Sequence, residues 1–318
     1  MQVAIQLHEL LRRKQRHAAR LVHAFESNQV ALASSDEISD EMDINMSNLP
    51  HFLCIGAQKA GTSWLYKQLK QHPEIWMPPV KELHYFDHLF CKGNRSWTTG
   101  HIRRAVFGSL KWHVNHGIEP DFDYIRYLSG LASGEMFTEQ WYRTAFDRPG
   151  AKGKVIGDIT PEYCTLPLDG VHYVKQLLGD NVRIIYIIRD PYERALSQLR
   201  MNVERRGIGE SSSIDEWLAA ADFDAIENRG NYAEYIPRWK SVFASGQVKI
   251  MPFDLIKADP CHFLRELERF LELEISHEYD SAKEPVHQTK KYKIPSVISE
   301  KIRELASSQE KFYSDLQC

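Results

Sequence analysis

From about residue 50 onward, the apolar and polar positions of the chain alternate between two periods. Phe52, Leu53, Cys54 and Ile55 form a short apolar run that stops at Gly56. A run of this length bounded by glycine reads as a buried strand. After a turn, Trp64, Leu65 and Leu69 fall on one face of a helix. The rhythm returns with Lys154 to Ile159 as a strand, a Thr160-Pro161 turn and a short helix over 171–178. Val182 to Ile188 is almost continuously apolar and β-branched, the mark of a central parallel strand covered on both faces. Asp190 then offers an N-cap and Pro191 a first helical residue, which predicts a helix to Gly207. Further helices are expected over 138–146, 232–243 and 260–271 and from Ser296 onward, with a strand over 248–252. Strands alternating with helices predict an α/β fold, a mostly parallel sheet with helices on both faces.

The flanks read differently. Leu7, Leu10, Leu11, Leu21, Val22 and Phe25 recur at helical spacing opposite Arg12, Arg13, Lys14, Arg16 and Arg20. Residues 1–33 are therefore expected to hold an amphipathic helix, packed on the domain or a second subunit, or else lying on a membrane surface or partner. The polar, acidic residues 34–48 suit a flexible linker, so the domain proper is expected over 49–318. Pro78 and Pro79 exclude helix and fix an extended or turning backbone, so the Lys81 to Asp87 stretch (KELHYFD) is expected to leave a loop near a strand end; on an extended segment Glu82 and His84 would face the same side. Residues 88–150 show no clean period; a long insertion there could build an acceptor pocket.

Composition narrows the class. The 318 residues carry a formal net charge of −3, which leaves no global nucleic-acid footprint, so an anion site must be local. Five cysteines, widely spaced, suggest neither a zinc ribbon nor a disulfide framework. No apolar window reaches transmembrane length. A cytoplasmic protein, at most peripheral to a membrane, is the expectation.

The candidate chemistry lies in three places. Gly56 and Gly61 have P-loop spacing, yet Thr62 stands where that motif has its lysine, and the loop lysine is Lys59. A strand, a glycine turn and a helix N-terminus aim N–H groups at an anion, and here the cation has moved to mid-loop. This P-loop-like arrangement points to a phosphate-bearing donor handled without the usual triphosphate and magnesium. Arg189 ends the buried strand and could pair with a carboxylate or grip a second phosphate, with Ser197 two turns into the next helix. The stretch with Lys290, Lys291 and Lys293 is basic and poor in helix formers.

Taken together, GAQKAGTSWLYKQL, KELHYFD and YIIRDPYERALSQLRMN resemble the motifs of sulfotransferases that use 3′-phosphoadenosine 5′-phosphosulfate, especially the bacterial and Golgi heparan-sulfate-like branch. The similarity runs in the family's order from about residue 50 to the C-terminus. It implies that Lys59 binds the bridging oxygen between the donor's 5′-phosphate and sulfate. Thr62 and Ser63, with the backbone of Ala60 and Gly61, would hold the 5′-phosphate, and Arg189 and Ser197 the 3′-phosphate. Trp64 would lie near the adenine or in the core, and Lys290 and Lys291 would close over the nucleotide. Glu82 matches the family's glutamate base, with His84 as the alternative, and no metal is expected. The acceptor would be a small molecule, glycan or lipid. Two other readings remain at this point: a P-loop kinase or NTPase, and a non-catalytic nucleotide-binding protein.

Overall fold

The computed structural model describes residues 49–116, 121–274, 277–284 and 292–316. The amphipathic N-terminal segment, the acidic linker, Lys290 and Lys291 lie outside them. Among the described residues, the sheet has five strands in the order β2-β3-β1-β4-β5. They are β1 (Phe52–Gly56), β2 (Ile75–Trp76), β3 (Val155–Ile159), β4 (Arg183–Ile188) and β5 (Val248–Pro252). Every pairing is parallel.

This order follows from burial. All of β1 and nearly all of β4 are inaccessible, so both must lie in the middle with helices above and below. Gly157 shows how tight the centre is. It pairs with Phe52 across β3 and β1, and a Cβ on it would fall inside the Phe52 ring. Short β2 is an edge strand that ends before the Pro78-Pro79 pair.

The helices, in chain order, are α1 (Thr62–Leu69), α2 (Tyr85–Phe90), α3 (Arg95–Asn115), α4 (Phe122–Ala132), α5 (Glu139–Thr144), α6 (Leu168–Leu178), α7 (Pro191–Arg205), α8 (Ile214–Ala221), α9 (Phe223–Asn228), α10 (Tyr232–Val242), α11 (Phe253–Ala258), α12 (Pro260–Phe270) and α13 (Ser296–Asp315). Asp190 caps α7 by accepting from the Glu193 N–H at 2.8 Å, with Pro191 as the first residue of the helix. A second apolar cluster joins Leu199 and Val203 of α7 to Trp217, Ile226, Ile298 and Ile302. Helix α1 is clasped by the chain near residue 281. The Trp64 indole N–H donates to the Ala282 carbonyl at 2.9 Å, Gln68 donates to the Ser281 carbonyl at 3.2 Å, and Lys67 pairs with Glu284 at 2.7 Å. None of the described helices is long and apolar enough to cross a membrane.

The expected strands and most expected helices are present. Two stretches take a form that the sequence left open. The Lys81–Asp87 stretch turns rather than running extended: Glu82 and His84 have left-handed φ values of 64° and 53°, and α2 starts at Tyr85. Residues 88–150, which show no clean period, are largely helical, with α3 and α4 packed on each other.

Gly157→Ala should lower the unfolding free energy by about 1–3 kcal/mol through overpacking. Urea denaturation measures the loss, and adding Phe52→Leu should recover part of it by vacating the ring's place.

Candidate functional site

In a parallel sheet all carboxyl ends lie at one edge, and a crevice opens where successive connections diverge. Here that place lies between β1 and β4, since the chain leaves β1 toward β2 and leaves β4 toward β5. The loop after β1 begins at Gly56, where a Cβ would sit 2.7 Å from the Tyr186 ring of β4. Lys59 has φ 72° and Gly61 φ 87°, so the loop folds back on itself before α1. No side chain caps α1, which leaves its first-turn N–H groups open to a ligand. Thr62 and Ala60 are buried, whereas Ser63 and Lys59 are partly accessible.

The structure brings Lys59 and Arg189 together. The Arg189 guanidinium donates from Nη1 to the Lys59 carbonyl at 3.1 Å and lies 4.8 Å over the Phe253 ring. Its Nη2 pairs with Glu193 at 3.2 Å, and its Nε is buried without a partner. Arg189 is thus partly satisfied internally, by a half-exposed carboxylate one helical turn away on α7. Ser197 lies one further turn along α7 and is nearly buried. Burial, reinforced by the charges of Arg205 and Arg189, pushes the Lys59 ammonium below its ordinary range, against Glu204 and Glu82. These cations repel one another across the crevice, and an anion between them would relieve the repulsion.

A second group faces the same region. Lys81 pairs with Glu82 Oε1, while Glu82 Oε2 lies 3.9 Å from His84 Nε2. The other ring nitrogen of His84 meets both carboxylate oxygens of buried Asp87 at 3.1 Å. Asn94 donates to that carboxylate at 2.9 Å. His84 is also flanked edge-on by Trp97 and His101, each with ring centroids 4.7 Å away. Burial alone would lower the His84 pKa, but the hydrogen bond and charge of Asp87, aided by Glu82, outweigh it and raise it. Burial likewise pushes Glu82 up, yet Lys81 and His84 together hold it at about 2, so it is a carboxylate at neutral pH. Glu82 and His84 therefore do share one side, through two left-handed residues rather than an extended strand. Non-glycine residues in such conformations concentrate at functional sites.

Behind this group, Asp158 of β3 accepts from Thr160 at 2.8 Å, Tyr163 at 2.9 Å and Tyr142 at 3.0 Å. The Tyr163 hydroxyl in turn accepts from the Tyr85 N–H at 3.1 Å, which ties the start of α2 to the end of β3. Beside it, Arg229 grips buried Glu162 with two hydrogen bonds of 2.8 and 3.1 Å.

The Trp64 side chain is a packing residue, edge-on to Phe263 and bonded to Ala282. Lys293 lies in an exposed stretch, where its N–H donates to Glu210 at 2.9 Å. Asp87, Asn94, His101 and Asp158 have no role in the sequence reading. Asp87 was within reach, three residues beyond His84 in the same motif, where one helical turn brings a carboxylate back to the ring.

A model of the Sulfotransferase family matches residues 50–277. The chain is 26% identical over 205 residues to the Membrane-associated sulfotransferase kil1 of Dictyostelium discoideum, covering 62% of this chain and 34% of that protein. It is 25% identical over 252 residues to the Heparan sulfate glucosamine 3-O-sulfotransferase 3A1 of Mus musculus, covering 77% and 51%. The chain thus spans between about a third and about a half of these relatives. The fold matches the crystal structure of a sulfotransferase from Alicyclobacillus acidocaldarius with a TM-score of 0.52 at 21% identity, covering 83% of this chain and 96% of that one.

Burial raises the Asp158 pKa to about 6, above the ordinary carboxylate range of about 4, even though Thr160, Tyr163 and Tyr142 donate to it. The folded state therefore binds that proton more tightly than the unfolded state, and the stability from this group is present below pH 4 and lost as pH rises to 6. Relative to wild type, Asp158→Asn should gain stability between pH 4 and 6, as read by urea denaturation at each pH.

Proposed function

The chain belongs to the sulfotransferase family, and we propose that it moves a sulfuryl group from 3′-phosphoadenosine 5′-phosphosulfate to a hydroxyl or amine of an acceptor. The observation that carries this reading is the meeting of Lys59 and Arg189 at the ends of β1 and β4, cations crowded around an uncapped helix start. A donor with a phosphosulfate at one end and a phosphate at the other supplies the missing charge at both.

In this reading the first-turn N–H groups of α1, with Thr62 and Ser63, hold the 5′-phosphate. Arg189 turns from Glu193 to the 3′-phosphate, joined by Ser197. Lys59 sits at the bridging oxygen, where negative charge grows as the sulfur–oxygen bond breaks. Sulfuryl transfer resembles loose phosphoryl transfer, so charge stabilisation at the leaving oxygen is the main task of the protein. A sulfuryl group carries less charge than a terminal phosphate, so these groups suffice without a metal.

Glu82 removes the acceptor's proton as its oxygen or nitrogen attacks sulfur. Paired with Lys81, Glu82 is too weak a base for that task. A sulfate group drawing Lys81 away would raise the basicity of the carboxylate at the moment it is needed. Asp87 keeps His84 oriented beside it. The acceptor is proposed to be a glycan or another hydroxyl-bearing metabolite, in line with the glycan named for the Mus musculus relative. A reducing, cytoplasmic setting suits Cys54, Cys91, Cys164 and Cys261, which carry free thiols.

The test is transfer of labelled sulfate from this donor to a panel of glycans and metabolites. It is accompanied by thermal stabilisation with adenosine 3′,5′-bisphosphate in chelator, compared with MgATP. Stabilisation by MgATP alone, without transfer to any acceptor, would sink the reading. In the transfer assay, Lys59→Ala should reduce turnover about 100-fold or more. Glu82→Gln should cost about 10² to 10⁴-fold. An active Glu82→Gln beside an inactive His84→Ala would move the base to the histidine.

A further inference from the structure

Among the described residues, Glu82, His84 and His101 each offer a ligand atom, and these atoms lie within 4.8 Å of one another. Two imidazoles and one carboxylate form the donor set of a three-ligand zinc centre with an open fourth position. The group also has the outer support that such centres use. Both Asp87 oxygens lie 3.1 Å from His84 Nδ1, which leaves Nε2 as the free nitrogen on the Glu82 side. A carboxylate behind a histidine fixes the ring and raises its basicity toward a metal. Asn94 holds that carboxylate at 2.9 Å, and the His84 ring is buried against Trp97. Glu82 uses Oε1 for Lys81 and keeps Oε2 toward His84. His101 sits on α3 with its ring edge-on to His84, held near the Lys81 carbonyl at 3.5 Å.

A tetrahedral ion with bonds of about 2.0–2.2 Å needs its ligands closer together than they stand here. His84 is the fixed member of the set. Glu82 and His101 are partly accessible and can close on it. Hard cations such as Mg²⁺ prefer an all-oxygen shell, whereas imidazole pairs select Zn²⁺, Cu²⁺ or Ni²⁺.

From this geometry we infer that Glu82, His84 and His101 form a Zn²⁺ site, and that its occupation takes Glu82 out of service and stops sulfuryl transfer. The ion is an inhibitor here and no cofactor: it binds the group that must accept the acceptor's proton. The binding half of the inference stands on the cluster alone. The inhibitory half rests on Glu82 being the base.

The experiment titrates Zn²⁺ into the full chain in competition with a chromophoric chelator, and repeats the titration with His101→Ala, His101→Gln and Asp87→Asn. Circular dichroism checks that each variant is folded. The expected result is one site that weakens at least tenfold on loss of His101, and about 10 to 100-fold for the outer-shell change at Asp87. Co²⁺ in place of Zn²⁺ should give the visible bands of a four-coordinate ion in wild type and lose them in His101→Ala. Equal affinity in wild type and both His101 variants would overturn the site and assign the ion to other histidines. Sulfuryl transfer is then compared with and without Zn²⁺ in each protein, so that any change in basal rate cancels. Wild type should be inhibited at stoichiometric Zn²⁺ and His101→Ala should not. Binding that follows His101 without inhibition keeps the metal site and overturns the blocking of Glu82, which separates the two halves.

Discussion

Like charge held at close quarters is the constraint on which this structure depends. Lys59 and Arg189 come from loops 130 residues apart in the chain, and one hydrogen bond joins the guanidinium of one to the carbonyl of the other. Their cationic groups gain nothing from being neighbours. What holds them there is the burial of β1 and β4 side by side, with Tyr186 filling the space that Gly56 leaves open. The hydrophobic centre of the sheet thus offsets an electrostatic cost at its edge. Such a cost makes sense when a polyanion removes it.

The second half of the site is organised by hydrogen bonds instead. Asp158, Tyr163 and the Tyr85 N–H form a continuous line from the end of β3 to the start of α2. A second line runs from Asn94 through Asp87 to His84, whose far nitrogen faces Glu82 across 3.9 Å. Buried polar chains of this kind are fully partnered or they are costly, and these are partnered. Together they hold Glu82 in a conformation that its own backbone disfavours.

The sheet and its loops were legible because their signals are local. Apolar runs ending in Gly56 and Arg189, and the Asp190-Pro191 start of α7, declare themselves within a few residues. Helix α3 did not, and the reason is physical: of its 21 residues only Thr98, Ile102 and Val106 are buried, too narrow a stripe to read as a period. Phe107, Trp112 and Val114 point outward and blur it further. Helix α8 carried a readable start, Ser213 with Glu216 three residues on, and they form a capping box. The site was legible where one motif supplies all its atoms. His101 reaches His84 from another helix, and no spacing announces a contact made only in the folded chain.

The clasp on α1 has a consequence for the boundaries of the fold. The family match ends at residue 277, and the backbone that receives the Trp64 and Gln68 hydrogen bonds begins only a few positions later. The anion loop is therefore braced from behind by residues beyond the stretch that the family model matches. A protein trimmed at residue 277 would keep the loop after β1, the Lys81–Asp87 stretch and the Arg189 motif. It would lose the buttress that keeps the cradle's rear wall upright.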